Sequence, residues 1–219
     1  MDLLAFARGP ALQVAIGVFC FGVAWRLAIL FFMHQPRDLT PAHEGALPGP
    51  VAGVREIFRR MWPEVHPTGS NLFTTINGYV FHLGLAIVVF GFGPHIQLMK
   101  SIFGVSWPSL PNFVIHIAAG VTLASLLAAL VKRLTSPVLK LISKADDYIS
   151  WAVTIAPVIT GFMLVGRLIQ PYNTALAIHI LSFVVLLIWL PFGKLMHAFL
   201  VFVSRARTGA YLNHRGAQL

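Results

Sequence analysis

Apolar runs about twenty residues long alternate along this chain with short polar segments rich in Arg and Lys. About 20 consecutive apolar residues in helical form cross the hydrocarbon core of a bilayer. Five stretches qualify. They run from about Ala11 to Phe32, and from about Leu72 to Phe92, where Gly93-Pro94 ends the run. A third runs from about Asn112 to Val131, after the Pro-rich turn Trp107 to Pro111. The last two run from about Trp151 to Leu168, and from about Ala175 past Trp189 to Val203. The runs are continuous and do not alternate polar with apolar, so helices are predicted in place of barrel strands. Backbone exposed to lipid must satisfy its own hydrogen bonds, which requires the same. The predicted fold is an all-α integral membrane protein, a five-helix bundle forming one domain over residues 1–219.

Composition agrees with this reading. Of the 219 residues, 57% are hydrophobic and only 11% charged, against roughly 25% charged in soluble domains. The first apolar run is too long for a signal-peptide core and reads as a retained helix. The net charge of +9 does not point to nucleic acid, because the basic residues lie between apolar runs, where they set topology. Arg37, Arg55, Arg59, Arg60, Lys132, Arg133, Lys140, Lys144, Lys194, Arg205, Arg207 and Arg215 fall on one side. Arg8, Lys100 and Arg167 fall on the other, and Arg26 lies within the first run. The positive-inside rule then places the N-terminus outside and the C-terminus in the cytoplasm; the expected location is a bacterial inner membrane. The single cysteine, Cys20, excludes an internal disulfide, an all-cysteine cluster and a CxxCH haem attachment. It reads as a small packing residue. The segment Val51 to Trp62 looks amphipathic, suited to lying along the interface or docking a soluble partner.

Nine histidines are present. His34, His43, His66 and His214 fall in polar segments or at a helix edge and read as solvated. His82, His95, His116, His179 and His197 lie in or at the ends of apolar runs, where ionisable groups are costly and mark function. His179 and His197 are 18 residues apart, five whole turns of a continuous helix, on one face and about 27 Å apart. Depth then matches His82 with His197 toward the cytoplasm, and His179 with either His95 or His116 toward the outside. An ideal helix turns by about 220° between His82 and His95, which puts His95 on the wrong face unless Gly91, Gly93 and Pro94 break the regularity.

Paired neutral imidazoles from two helices suit the two sides of a haem iron. The expected cofactor is haem b, two groups if both pairs bind and one if only the first does. Zinc is disfavoured, since no carboxylate or cysteine accompanies the histidines. Lys100 and Arg167 are candidates for orienting a quinone oxygen on the outer side, or else plain interface anchors. The unpaired histidine could instead take protons from quinol. Two rival readings remain: a transporter with histidine proton relays, and a haem-free membrane anchor.

Several segments resemble the gamma (cytochrome b) subunit of respiratory nitrate reductase and related membrane subunits of sulfur-metabolising complexes. They are Phe81-His82-Leu83-Gly84, the His179 to His197 spacing with Leu190-Pro191-Phe192-Gly193-Lys194-Leu195-Met196-His197, and Lys132-Arg133-Leu134 followed by Ser136-Pro137. Ala145-Asp146 and Thr160-Gly161 continue the match. The resemblance implies a di-haem subunit that exchanges electrons between quinol and a cytoplasmic iron–sulfur subunit, with the Lys132–Ser150 loop and the C-terminal tail as docking surface. It implies His82, His179 and His197 as ligands. The fourth nitrate reductase position falls on Phe92 here, and His95 follows three residues later.

Overall fold

The computed structural model describes residues 2–33, 38–62 and 72–217; His34 and His66 lie outside them. Among these residues the secondary structure is entirely helical. Five helices are long and apolar enough to cross a membrane. They are α1 (Leu3–Phe32), α3 (Leu72–Gly91), α5 (Asn112–Thr135), α7 (Ala145–Val165) and α8 (Tyr172–Trp189). Four shorter helices join them: α2 (Gly49–Arg59), α4 (Gly93–Phe103), α6 (Pro137–Ile142) and α9 (His197–His214).

The helix starts and stops follow local chemistry. α1 begins eight residues before the expected Ala11, and a π-helical turn over Ala7–Ala11 accommodates Pro10, whose ring cannot donate to the regular ladder. α7 starts at Ala145 because Asp147 accepts the Lys144 N–H at 2.9 Å. Asp146 and Asp147 also place negative charge at the positive end of the helix dipole.

The fifth run departs from expectation. It is not one helix to Val203: α8 ends at Trp189, a 3₁₀ turn occupies Lys194–Met196, and α9 begins at His197. Pro191 removes a donor and its ring clashes with the preceding turn, so the helix cannot pass through it. The whole-turn argument relating His179 to His197 therefore does not apply.

α3 packs on α5, α5 on α7, α7 on α8 and α8 on α1, while α2 packs along α9. Small residues fill the contacts, among them Ala15, Ala118, Ala119, Ala175 and Ala177, and the large apolar side chains face outward, as in helices that associate within lipid. Cys20 is exposed on α1, so it faces out of the bundle and is not the packing residue expected.

Candidate functional site

The two breaks in the helical pattern place histidines. After Gly91 the chain leaves the α3 axis at Phe92 and restarts at Gly93, with Pro94 in the first turn of α4. The Pro-rich turn folds back on this break: Trp107 Nε1 donates to the Phe90 carbonyl at 2.6 Å, and the Leu110 N–H to Gly91 at 2.9 Å. The last turn of α3 offers its carbonyls here, and the His95 Nδ1 hydrogen-bonds that of Val88 at 3.1 Å. The break thus cancels the unfavourable rotation between His82 and His95.

The second break does the same for His197. Its Nδ1 bonds the Lys194 carbonyl at 2.9 Å. The segment holding Lys194 is itself anchored to α7: Asp147 Oδ2 pairs with Lys194 Nζ at 2.6 Å, and Asp147 Oδ1 with Arg133 Nη1 at 3.1 Å. The Asp147 side chain is 7% exposed, while its two cationic partners remain partly exposed. A weaker contact from the Lys194 N–H reaches Asp146 Oδ1 at 3.4 Å.

His82 stands within α3, its Nδ1 on the Gly78 carbonyl one turn back at 2.7 Å. His179 stands within α8, its Nδ1 on Thr160 Oγ1 of α7 at 3.1 Å. Thr160 donates its own proton to the Ala156 carbonyl at 2.8 Å, so it accepts from the histidine. Gly161 lies against the ring: a Cβ there would sit 3.0 Å from His179 Cε1.

These four rings meet in twos. His82 and His197 have centroids 6.2 Å apart with planes at 86°, and His95 and His179 have centroids 6.2 Å apart with planes at 18°. A carbonyl accepts only, so in His82, His95 and His197 the proton sits on Nδ1 and Nε2 carries the lone pair. Two metal–nitrogen bonds of about 2 Å, plus about 1 Å from nitrogen to ring centre on each side, give roughly 6 Å between centroids. The spacing suits two imidazoles on opposite sides of one metal ion. Interplanar angle is free in such an arrangement, since each ring can rotate about its own metal–nitrogen axis.

A flat group would also need room between the helices. Among the described residues, α3 and α4 have no extensive packing against α8 and α9, so each ring pair lies between helices that are not closely packed together. Gly78, one turn from His82, has no atom within 4 Å of where a Cβ would stand. Gly84 instead takes up the contact with Thr122 of α5, which is ordinary helix packing. Beside His197 lies a cavity of about 410 Å³ that Arg26, Asp146 and Lys194 also line. Among the described residues no three His, Cys, Asp or Glu side chains converge, as a zinc site would require.

His116 is not part of either pair. Its Nδ1 bonds the Asn112 carbonyl at 2.6 Å and the residue is exposed on α5. Of the two alternatives for His179, the structure brings up His95. Phe92 packs edge-on against His95, with centroids 5.3 Å apart. Lys100, on α4, and Arg167, just past α7, are exposed. Arg167 adopts φ 54°, a left-handed backbone conformation uncommon for a side chain with a Cβ. His214 is not merely solvated: its Nε2 bonds the Thr40 carbonyl at 3.0 Å, and its own carbonyl accepts the His43 N–H at 2.9 Å.

Sequence reasoning matched His82 with His197 and left His95 and His116 open as the partner of His179; it missed what orients the rings. Thr160 was visible only as part of a matching dipeptide, and the Val88 and Lys194 carbonyls carry no side-chain signal at all.

No protein-family model matches the chain, and no solved structure does. A curated protein of Nitratidesulfovibrio vulgaris, described simply as "Protein", is 27% identical over 213 residues, covering 94% of this chain and 92% of that one. The similarity spans all five helices, and the description attaches no activity to it.

Proposed function

We propose that this chain is a membrane-bound b-type cytochrome subunit that carries electrons between the quinone pool and an iron–sulfur partner, similar to the gamma subunit of respiratory nitrate reductase. The observation that carries the reading is the double pairing at 6.2 Å, His82 with His197 and His95 with His179. Haem iron held by two histidines supplies one-electron transfer at a potential set by ligands, hydrogen bonding and burial.

The chain's own residues do the rest. Nε2 of each histidine offers its lone pair, and the Nδ1 hydrogen bond fixes ring direction and raises ligand basicity. From His82 to Gly91 is nine residues, about 14 Å, so the two pairs lie at different depths, with His95 beyond one end of α3. The end bearing Arg133 and Lys194 is read as cytoplasmic and the N-terminus as outside, in a bacterial inner membrane. Lys100 and Arg167 lie toward the opposite end, with His95, where either cation can orient a quinone oxygen. At the basic end, Val138, Leu141 and Ile142 of α6 are exposed apolar residues and form the docking surface for the iron–sulfur subunit.

A pyridine haemochrome assay with reduced-minus-oxidised spectra on the purified chain tests this. Two b haems per chain support the full assignment. One keeps only one pair as ligands. None, in protein made with ample haem, refutes the reading and leaves the histidines as proton relays or structural groups.

A further inference from the structure

α2 packs on α9 with one face and leaves a second face uncovered. The packed face is built from small residues. A Cβ on Gly53 would stand 2.9 Å from the Ala206 carbonyl, one on Gly49 would stand 3.8 Å from the Ala210 Cβ, and Gly209 of α9 abuts Ala52 and Glu56. The numbers rise on one helix as they fall on the other, so the two run antiparallel. With small residues and the ion-paired Glu56 inward, four large apolar side chains point away from the protein. Val51 is 52% exposed, Val54 54%, Phe58 62% and Met61 42%. Their spacing of three, four and three residues makes one continuous stripe.

Two sets of contacts give the depth of this stripe. α9 lies alongside α1: Phe199 meets Phe19 with ring centroids 5.9 Å apart, and the Arg207 guanidinium donates to the Leu30 carbonyl. Leu30 is two residues from the end of the α1 span, so Ala206 lies near the membrane surface and residues before it lie deeper. Because α2 is antiparallel, it descends from Gly53 at about 1.5 Å per residue, reaching roughly 8 Å at Phe58 and 12 Å at Met61. Independently, Tyr79 Oη donates to the Met61 carbonyl at 2.6 Å, and Tyr79 is seven residues inside the start of α3. We propose that α2 is inserted into the leaflet at the basic end of the bundle, with Val51, Val54, Phe58 and Met61 against lipid acyl chains. The charges on the helix allow this. Glu56 is buried and ion-paired to Arg59 at 2.8 Å and to Arg60. Arg55 stands on the exposed side near the surface, where its long stem can carry the guanidinium to the headgroups.

The inference needs only the spans and holds with or without haem. The test places spin labels on single cysteines in the full-length chain, with Cys20→Ser to remove the native thiol. Positions are Val54→Cys, Phe58→Cys and Met61→Cys, with Glu44→Cys as the water-exposed control. The chain is reconstituted in phosphatidylcholine–phosphatidylglycerol vesicles, and accessibility is read by power saturation with oxygen and with a water-soluble nickel chelate. The expected result is a severalfold rise in the oxygen-to-nickel ratio over Glu44→Cys, increasing from residue 54 to 58 to 61. Nickel access at 58 and 61 equal to that at 44 overturns the proposal. So does exclusion of both reagents, which means a protein surface covers the stripe.

Discussion

Replacing Thr160 by valine tests the outer pair through an atom that is not itself a ligand. Valine keeps the shape of threonine and removes one oxygen. Four groups lose a contact, the Pro157 carbonyl at 3.3 Å being the weakest. The Ala156 carbonyl keeps its helical donor, and the Ser182 hydroxyl, 3.0 Å from Thr160 Oγ1, keeps its bond to the His179 carbonyl at 2.7 Å. Only the His179 Nδ1–H loses a principal partner. An unmet buried donor costs about 1–3 kcal/mol, and loss of an outer-shell partner weakens metal binding about 10–100-fold, or about 1.4–2.8 kcal/mol at 1.4 kcal/mol per tenfold. Valine keeps the shape that packs against the ring, so the lower end applies, about tenfold. The assay is transfer of haem from the purified chain to excess apomyoglobin, followed optically. One of two haems should leave about tenfold faster in Thr160→Val and the other at its original rate. Thr122→Val is the control, since Thr122 is fully buried and donates only to the Ala118 carbonyl at 2.7 Å. If Thr160→Val loses neither haem faster, or both equally, the orientation of His179 by α7 is not what holds the outer site.

Gly161→Ala should reduce bound haem from two to about one per chain by pyridine haemochrome, because the new Cβ at 3.0 Å from His179 Cε1 pushes the ring out of line; overpacking of this kind costs about 1–3 kcal/mol. Asp147→Asn leaves Arg133 and Lys194 without their shared carboxylate and loosens the segment whose carbonyl orients His197. Both cations are partly exposed, 32% and 51%, so the loss is nearer 1–2 kcal/mol than the 3–5 of a fully buried pair, and thermal unfolding in detergent should show it. The Glu56 carboxyl is pushed down from 4.5 to about 2, chiefly by its hydrogen bond from Arg59 and further by Arg60, against the opposing effect of burial. A depressed folded value means its stabilising contribution is full above pH 4.5 and is lost as pH falls through about 2. Unfolding temperatures of the wild-type chain and Glu56→Gln should therefore differ above pH 4.5 and converge toward pH 2; a constant difference across that range refutes the ion-pair account.

The sequence by itself determined that there are five spans, because about twenty apolar residues in a row admit one solution in lipid, but not where the first begins or the fifth ends. It also singled out the five histidines, since imidazoles are conspicuous among Leu, Val and Phe. Pairing by depth was legible too, because depth follows from counting residues along antiparallel helices. What it could not decide was rotation. Periodicity put His95 on the wrong face and put His179 and His197 on a single helix, and both statements assumed an unbroken ladder of hydrogen bonds. Tertiary structure resolved them through two interruptions, at Phe92 and at Leu190–Gly193, each held by contacts from residues far along the chain: Trp107 and Leu110 for the first, Asp147 and Arg133 for the second. Such interruptions depend on whether a distant donor or carboxylate arrives to satisfy the freed backbone. The choice of His95 over His116, the orientation of His179 by Thr160, and the packing of Gly53 on Ala206 are all set by that three-dimensional meeting of segments. A linear pattern of apolar and polar residues holds no record of it.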